Sequence, residues 1–64
     1  DLDVFLKNNF NKIYKLIFND KNNLKYKNLL DEFKKIISKK KKLSNRKKYF
    51  LWRLYILSSW KNNK

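Results

Sequence analysis

Neither glycine nor proline occurs anywhere in this 64-residue chain. Average usage of about 7% and 5% would supply roughly seven or eight of them. No residue therefore demands a positive φ or withdraws a backbone N–H, so a helix running from one end to the other meets no steric obstacle. Alanine is missing too, while Lys, Asn, Ile, Leu, Phe and Tyr abound. The bias of an AT-rich coding sequence explains that composition as well as selection for helix does, and the steric permission holds under either cause.

Apolar residues recur at three- and four-residue steps in two stretches. Leu2, Phe5, Leu6, Phe10, Ile13, Leu16 and Ile17 form the first; Tyr26, Leu29, Leu30, Phe33, Ile36 and Ile37 form the second. That spacing lines one face of a helix, and sustained alternation, the mark of a strand, is absent. Two polar intervals, 19–23 and 38–45, are candidate turns. Asn19 is placed to end a first helix, and Ser44 or Asn45 to N-cap a third. The fold class is all-α, in one of two forms: a single long helix, straight or kinked, wrapped by partner proteins, or three helices of roughly 17 residues packed as a bundle. The stretch Tyr49 to Leu57 favours the first form. It is apolar on every side of a helix, and such a helix must be surrounded; two neighbours of its own chain cover only part of its circumference.

The charge balance narrows the chemistry. Lys and Arg number 18 against 5 Asp and Glu, a formal charge of +13, and there is no Cys, His or Met. Nucleophilic cysteine, histidine general bases and zinc sites all need residue types that are missing, so no enzyme, small-molecule substrate or cofactor of its own is expected. Without a disulfide or metal, a chain this short is marginal as a lone domain. With 42% hydrophobic and 17% aromatic residues it is nevertheless too apolar for a disordered basic tail. The nine residues Tyr49 to Leu57 fall far short of the roughly 20 that cross a bilayer, so no transmembrane span is expected. The start Asp1-Leu2-Asp3 carries neither Met nor the basic region of a signal peptide, and is read as the edge of a segment of a longer protein.

Three bulky residues, Ile13, Ile36 and Trp60, stand 23 and 24 residues apart, each with an apolar residue three before it and further apolar residues six to eight before it. On a helix these positions share about two turns, so each window offers one adhesive surface. The windows are 5–14, 29–37 and 44–61. The third, Ser44-x7-Trp52-Arg53-x3-Leu57-x2-Trp60-Lys61, resembles the motif A-x7-LL-x3-[FL]-x2-W-[KR] of centrin-binding repeat proteins of spindle-pole and basal-body scaffolds and of ciliate contractile fibres. Arg53 departs from the paired leucines. The first window keeps the spacing with Ile in place of Trp; the second shifts its pair by one and also lacks Trp.

The resemblance implies a scaffold helix of a cytoplasmic, cytoskeletal and contractile filament. Acidic centrin-like EF-hand proteins would sit on it one per window, two or three per chain, with calcium bound by the partner. The docking residues it implies are Phe5, Leu6, Phe10 and Ile13, then Leu29, Leu30, Phe33 and Ile36, then Trp52, Leu57 and Trp60. A basic helix with aromatic anchors independently suits groove recognition by an acidic protein. A continuous helix would be about 96 Å long, with anchors about 35 Å apart. Asp20-x-Asn22 opens like a calcium loop, but Leu24 and Lys25 occupy positions that need a ligand and a glycine, so no metal site is expected here.

Two other classes share the composition. Basic and aromatic residues together suit nucleic acid, although these aromatics fall on helical apolar positions where packing is their first use. They also suit a membrane-surface helix, but the last segment segregates its polar and apolar faces poorly. Spread lysines are in the first instance a solvated face.

Overall fold

Short polar side chains make several of the helix boundaries. In the computed structural model, which describes residues 1–62, Asp1 caps α1 (Leu2–Asn8), its carboxylate accepting from the backbone N–H of Asp3 at 3.2 Å. At Asn9 the helix is interrupted: φ is −115°, and the Phe5 carbonyl accepts both the Asn9 backbone N–H at 3.1 Å and its side-chain amide at 2.9 Å. A side chain that competes for a helical carbonyl in this way bends the helix. The chain resumes as α2 (Phe10–Phe18) and ends at Asn19. Asp20 then caps a 3₁₀ segment (Lys21–Tyr26) through the backbone N–H of Asn22 at 2.9 Å, while the Asn23 amide donates to the carbonyl of Ile17 at 2.8 Å. Next comes α3 (Lys27–Ser38).

Among the described residues the reversal after α3 is the one place where the backbone takes a left-handed conformation, and it does so at Lys40, with φ 58°. Lys40 N–H donates to Ile37 O at 3.0 Å and Lys41 N–H to Ile36 O at 3.1 Å, which is the hydrogen-bond pattern of a Schellman cap with lysine where glycine is usual. The last helix, α4 (Asn45–Asn62), opens on a Ser44 cap: the hydroxyl accepts from Lys47 N–H at 3.3 Å. Asn19 and Ser44 therefore stand where the sequence placed them, and both polar intervals interrupt the α-helix, the first by leading into the 3₁₀ segment and the second through the reversal at Lys40.

The all-α expectation holds; of its two forms the chain adopts a bundle, with α-helices of 7, 9, 12 and 18 residues among the described residues in place of three of equal length. It measures 34 × 24 × 19 Å, not the length of a rod. Helix α4 packs against α2 and α1, and the 3₁₀ segment joins α2 to α3. Leu6, Phe10, Ile13, Ile17, Leu30, Phe33, Leu43, Leu51 and Leu54 form one core. Leu43 drops from the loop into that core, so the reversal is pinned at both ends. The single rod gives way because the apolar stripes of α1–α2 and α3 and one face of α4 can bury one another, at about 25 cal/mol per Å2 of apolar surface. A left-handed lysine costs only about 1–2 kcal/mol against that gain.

This packing sets the stability expected of substitutions at three positions. Phe33, 1% exposed, should cost about 3–5 kcal/mol when replaced by alanine, which is enough to abolish a cooperative thermal transition by circular dichroism. Leu57→Ala on the surface should change stability by less than about 0.5 kcal/mol. At position 40, Lys40→Gly should melt several degrees above Lys40→Ala, because both remove the charge but only glycine relieves the left-handed strain. Equal melting temperatures would show that the cap carries no strain.

Candidate docking face

An α-helix apolar on every side presents different residues to its two faces, and α4 uses both. Leu51, Leu54 and Ser58 are buried against the bundle. Half a turn away lie Tyr49, Arg53, Ile56 and Trp60, with Leu57 beside them, since steps of four, three and four residues keep to one stripe. Tyr49 is 61% exposed, Ile56 44%, Leu57 52% and Trp60 69%. The inner stripe is satisfied by this chain; the outer one faces solvent.

The flank between the two faces is aromatic. Phe5 of α1 meets Trp52 edge-on at 6.0 Å and Tyr55 at 5.9 Å, and Trp52 and Tyr55 lie 5.7 Å apart. Such contacts add about 0.5–1.5 kcal/mol each beyond area burial. Trp52 is consequently half-buried by its own chain. Beside this cluster a groove of about 550 Å3 opens between α2 and α4, walled by Phe5, Ile13, Leu16 and Tyr55, with Lys12 and Lys15 among its lining.

Of the residues that the repeat windows single out for docking, Leu6, Phe10, Ile13, Leu30 and Phe33 lie in the core, with exposures between 0% and 4%. A partner could reach them only if the bundle opened. Leu29 and Ile36 are half-buried against the core, as is Trp52. Phe5, Leu57 and Trp60 are exposed, and the structure brings Phe5 to the α4 side of the molecule through its ring contacts. The three windows therefore do not form equivalent surfaces: the first two are chiefly packing, and the third is split between a shielded Trp52 and an exposed Leu57 and Trp60. The sequence reading left out Tyr49 and Ile56. Their signal is the spacing 49, 53, 56, 60 opposite 51, 54, 58, which is a helical stripe and not part of the repeat motif.

One ion pair secures the end of this face. Lys61, the basic residue that follows Trp60 in the window, donates to the Asp20 carboxylate at 3.1 Å and so ties the end of α4 to the turn after α2. The backbone N–H of Asn22, and after it the Lys61 ammonium, hold the Asp20 carboxyl below its ordinary value of 3.8. On the far side, Lys27 donates to the Tyr14 hydroxyl at 2.9 Å, which in turn donates to Asp31 at 3.0 Å, linking α2 to α3. That hydrogen bond, reinforced by the charge of Asp31, raises the Lys27 ammonium above 10.5. Among the described residues no cluster of three or more Asp or Glu side chains could hold a metal ion, and no helix is long and apolar enough to cross a membrane. Comparison with models of known protein families, with curated proteins and with solved structures finds no match.

The Asp20 clamp predicts a pH signature. A carboxyl depressed by folding contributes stability that is fully present above its ordinary pKa and disappears as pH falls through the folded value. Asp20→Asn keeps the cap oxygen but loses the charge. It should therefore melt below the parent at about pH 6, and the gap should shrink as the pH falls below the ordinary carboxyl value of 3.8. A gap that persisted in acid would assign the effect to packing instead of charge.

Proposed function

We propose that this chain is a basic helical docking module whose outer α4 face, centred on Ile56, Leu57 and Trp60, enters the apolar groove of an acidic EF-hand protein of the centrin or calmodulin class. The exposure of those three side chains, opposite the stripe that the bundle already buries, is the observation that carries the reading. An aromatic anchor with aliphatic neighbours one turn away is what a helix-binding groove accepts. The formal charge of +13 complements an acidic partner and speeds encounter with it. The segment Leu57-x2-Trp60-Lys61 is also where the resemblance to centrin-binding repeats is strongest, which supports a place in a cytoskeletal or contractile filament.

The folded bundle limits the stoichiometry. Windows 5–14 and 29–37 spend their apolar residues on the core, so one partner per folded chain, seated on α4, replaces the two or three that a bare helix would carry. Calcium belongs to the partner, where it opens the groove. The role is binding, not catalysis.

Titration of the whole chain with a purified centrin, with calcium and with EDTA, tests the proposal by calorimetry and by the blue shift of tryptophan emission. A one-to-one complex by native mass measurement is expected, surviving moderate salt. Trp60→Ala should weaken it by about thirtyfold, the loss of a hot-spot side chain, with the helical spectrum unchanged. No complex under either condition overturns the proposal.

A further inference from the structure

The positive charge of this protein is concentrated in one half of the chain. All five Asp and Glu lie within the first 32 residues, whereas residues 33–64 hold twelve of the 18 Lys and Arg and no acid at all. In the fold, the densest part of that charge surrounds the start of α4. Lys39, Lys40, Lys41, Lys42 and Arg46 are exposed, and Lys47 and Lys48 are half-exposed. The ion pairs among the described residues use Lys7, Lys27 and Lys61, all outside this patch. Cations crowded together repel one another, and a bound polyanion relieves that repulsion while releasing its own counterions.

The patch also contains a place for something planar. A shallow depression of about 310 Å3 is lined by Arg46, Tyr49, Phe50 and Arg53. Phe50 is held from behind by Tyr26, edge-on at 5.6 Å, whereas the Tyr49 ring is 61% exposed. The two arginines, seven residues apart, stand on one face of α4 about 10 Å apart along its axis, with the rings between them. The lysine loop that precedes them is a fixed track, capped through Ile36 and Ile37 at one end and anchored by buried Leu43 at the other.

We infer that the start of α4, from Lys39 to Arg53, binds single-stranded nucleic acid: a base stacks on Tyr49, Arg46 and Arg53 hold the phosphates on either side of it, and the lysine loop carries the strand onward. An aromatic ring between two guanidinium groups fits a ligand with negative charge on both sides of each planar unit. A nucleotide chain has that pattern, and a lipid headgroup with a single phosphate does not. A duplex hides its base faces, so Tyr49 would add nothing to its binding. Tyr49 lies about 16 Å along α4 from Trp60, whereas Arg53 adjoins Ile56 on the outer stripe, so the two sites meet there.

The test is fluorescence anisotropy of a labelled 12-nucleotide oligouridine with the whole chain, at low and moderate salt, against a duplex of equal length and phosphatidylserine vesicles. Four proteins are compared: the parent, Tyr49→Ala, the pair Arg46→Gln with Arg53→Gln, and the charge-matched pair Lys21→Gln with Lys25→Gln, with circular dichroism to verify each fold. The single strand should bind more tightly than the duplex. Tyr49→Ala should lose about five- to fiftyfold, as expected for one stacked base. The arginine pair should lower the salt slope by about one to one and a half, while the lysine pair lowers it less. Absence of binding at low salt overturns the inference. So does a Tyr49→Ala protein that binds as well as the parent, equal losses from the two charge pairs, or a preference for duplex or vesicles.

Discussion

Burial of Leu51 and Leu54 of α4 among the apolar residues of α1 and α2 is the interaction on which the rest of the structure depends. The chain has no cysteine with which to form a disulfide, and helices of seven, nine and twelve residues are too short to persist alone in water. Only the 18-residue α4 is long enough to serve as a wall for the others. Once its inner stripe is covered, Phe10, Ile13, Leu30 and Phe33 acquire a common interior, and the chain has one core.

That commitment leaves α4 with an outer face and divides it along its length. Its beginning is cationic, with Tyr49 between two arginines and four lysines in the preceding loop. Its end is apolar, with Ile56, Leu57 and Trp60 exposed above the Lys61–Asp20 clamp. The two ends present different chemistry to solvent from one element, and they meet where Arg53 adjoins Ile56 on the outer stripe.

Much of the architecture is legible in the residues. The three- and four-step spacing of the first two segments locates their buried stripes correctly, and Asn19 and Ser44 mark real helix boundaries because short polar side chains satisfy the backbone groups that a helix end exposes. Three features escape a linear reading. The interruption at Asn9 arises when a side-chain amide claims the Phe5 carbonyl, which asparagine can do at many places where it does not. The reversal at Lys40 uses a left-handed lysine in a chain without glycine, since the absence of glycine removes a preference and not a possibility. The role of each aromatic was also hidden: Trp52 is shielded by Phe5 and Tyr55 while Trp60, eight residues on, is exposed, although both occupy anchor positions of the same window.

The sequence by itself determined that the chain is helical, that it is strongly basic, and which residues of its first two segments share a face, because these properties depend on local sterics, composition and a 3.6-residue period. Only the tertiary structure decided whether those faces would meet one another or a partner. Which side of an all-apolar helix turns inward depends on the shape of what packs against it, and that shape exists only once residues distant in the chain have come together.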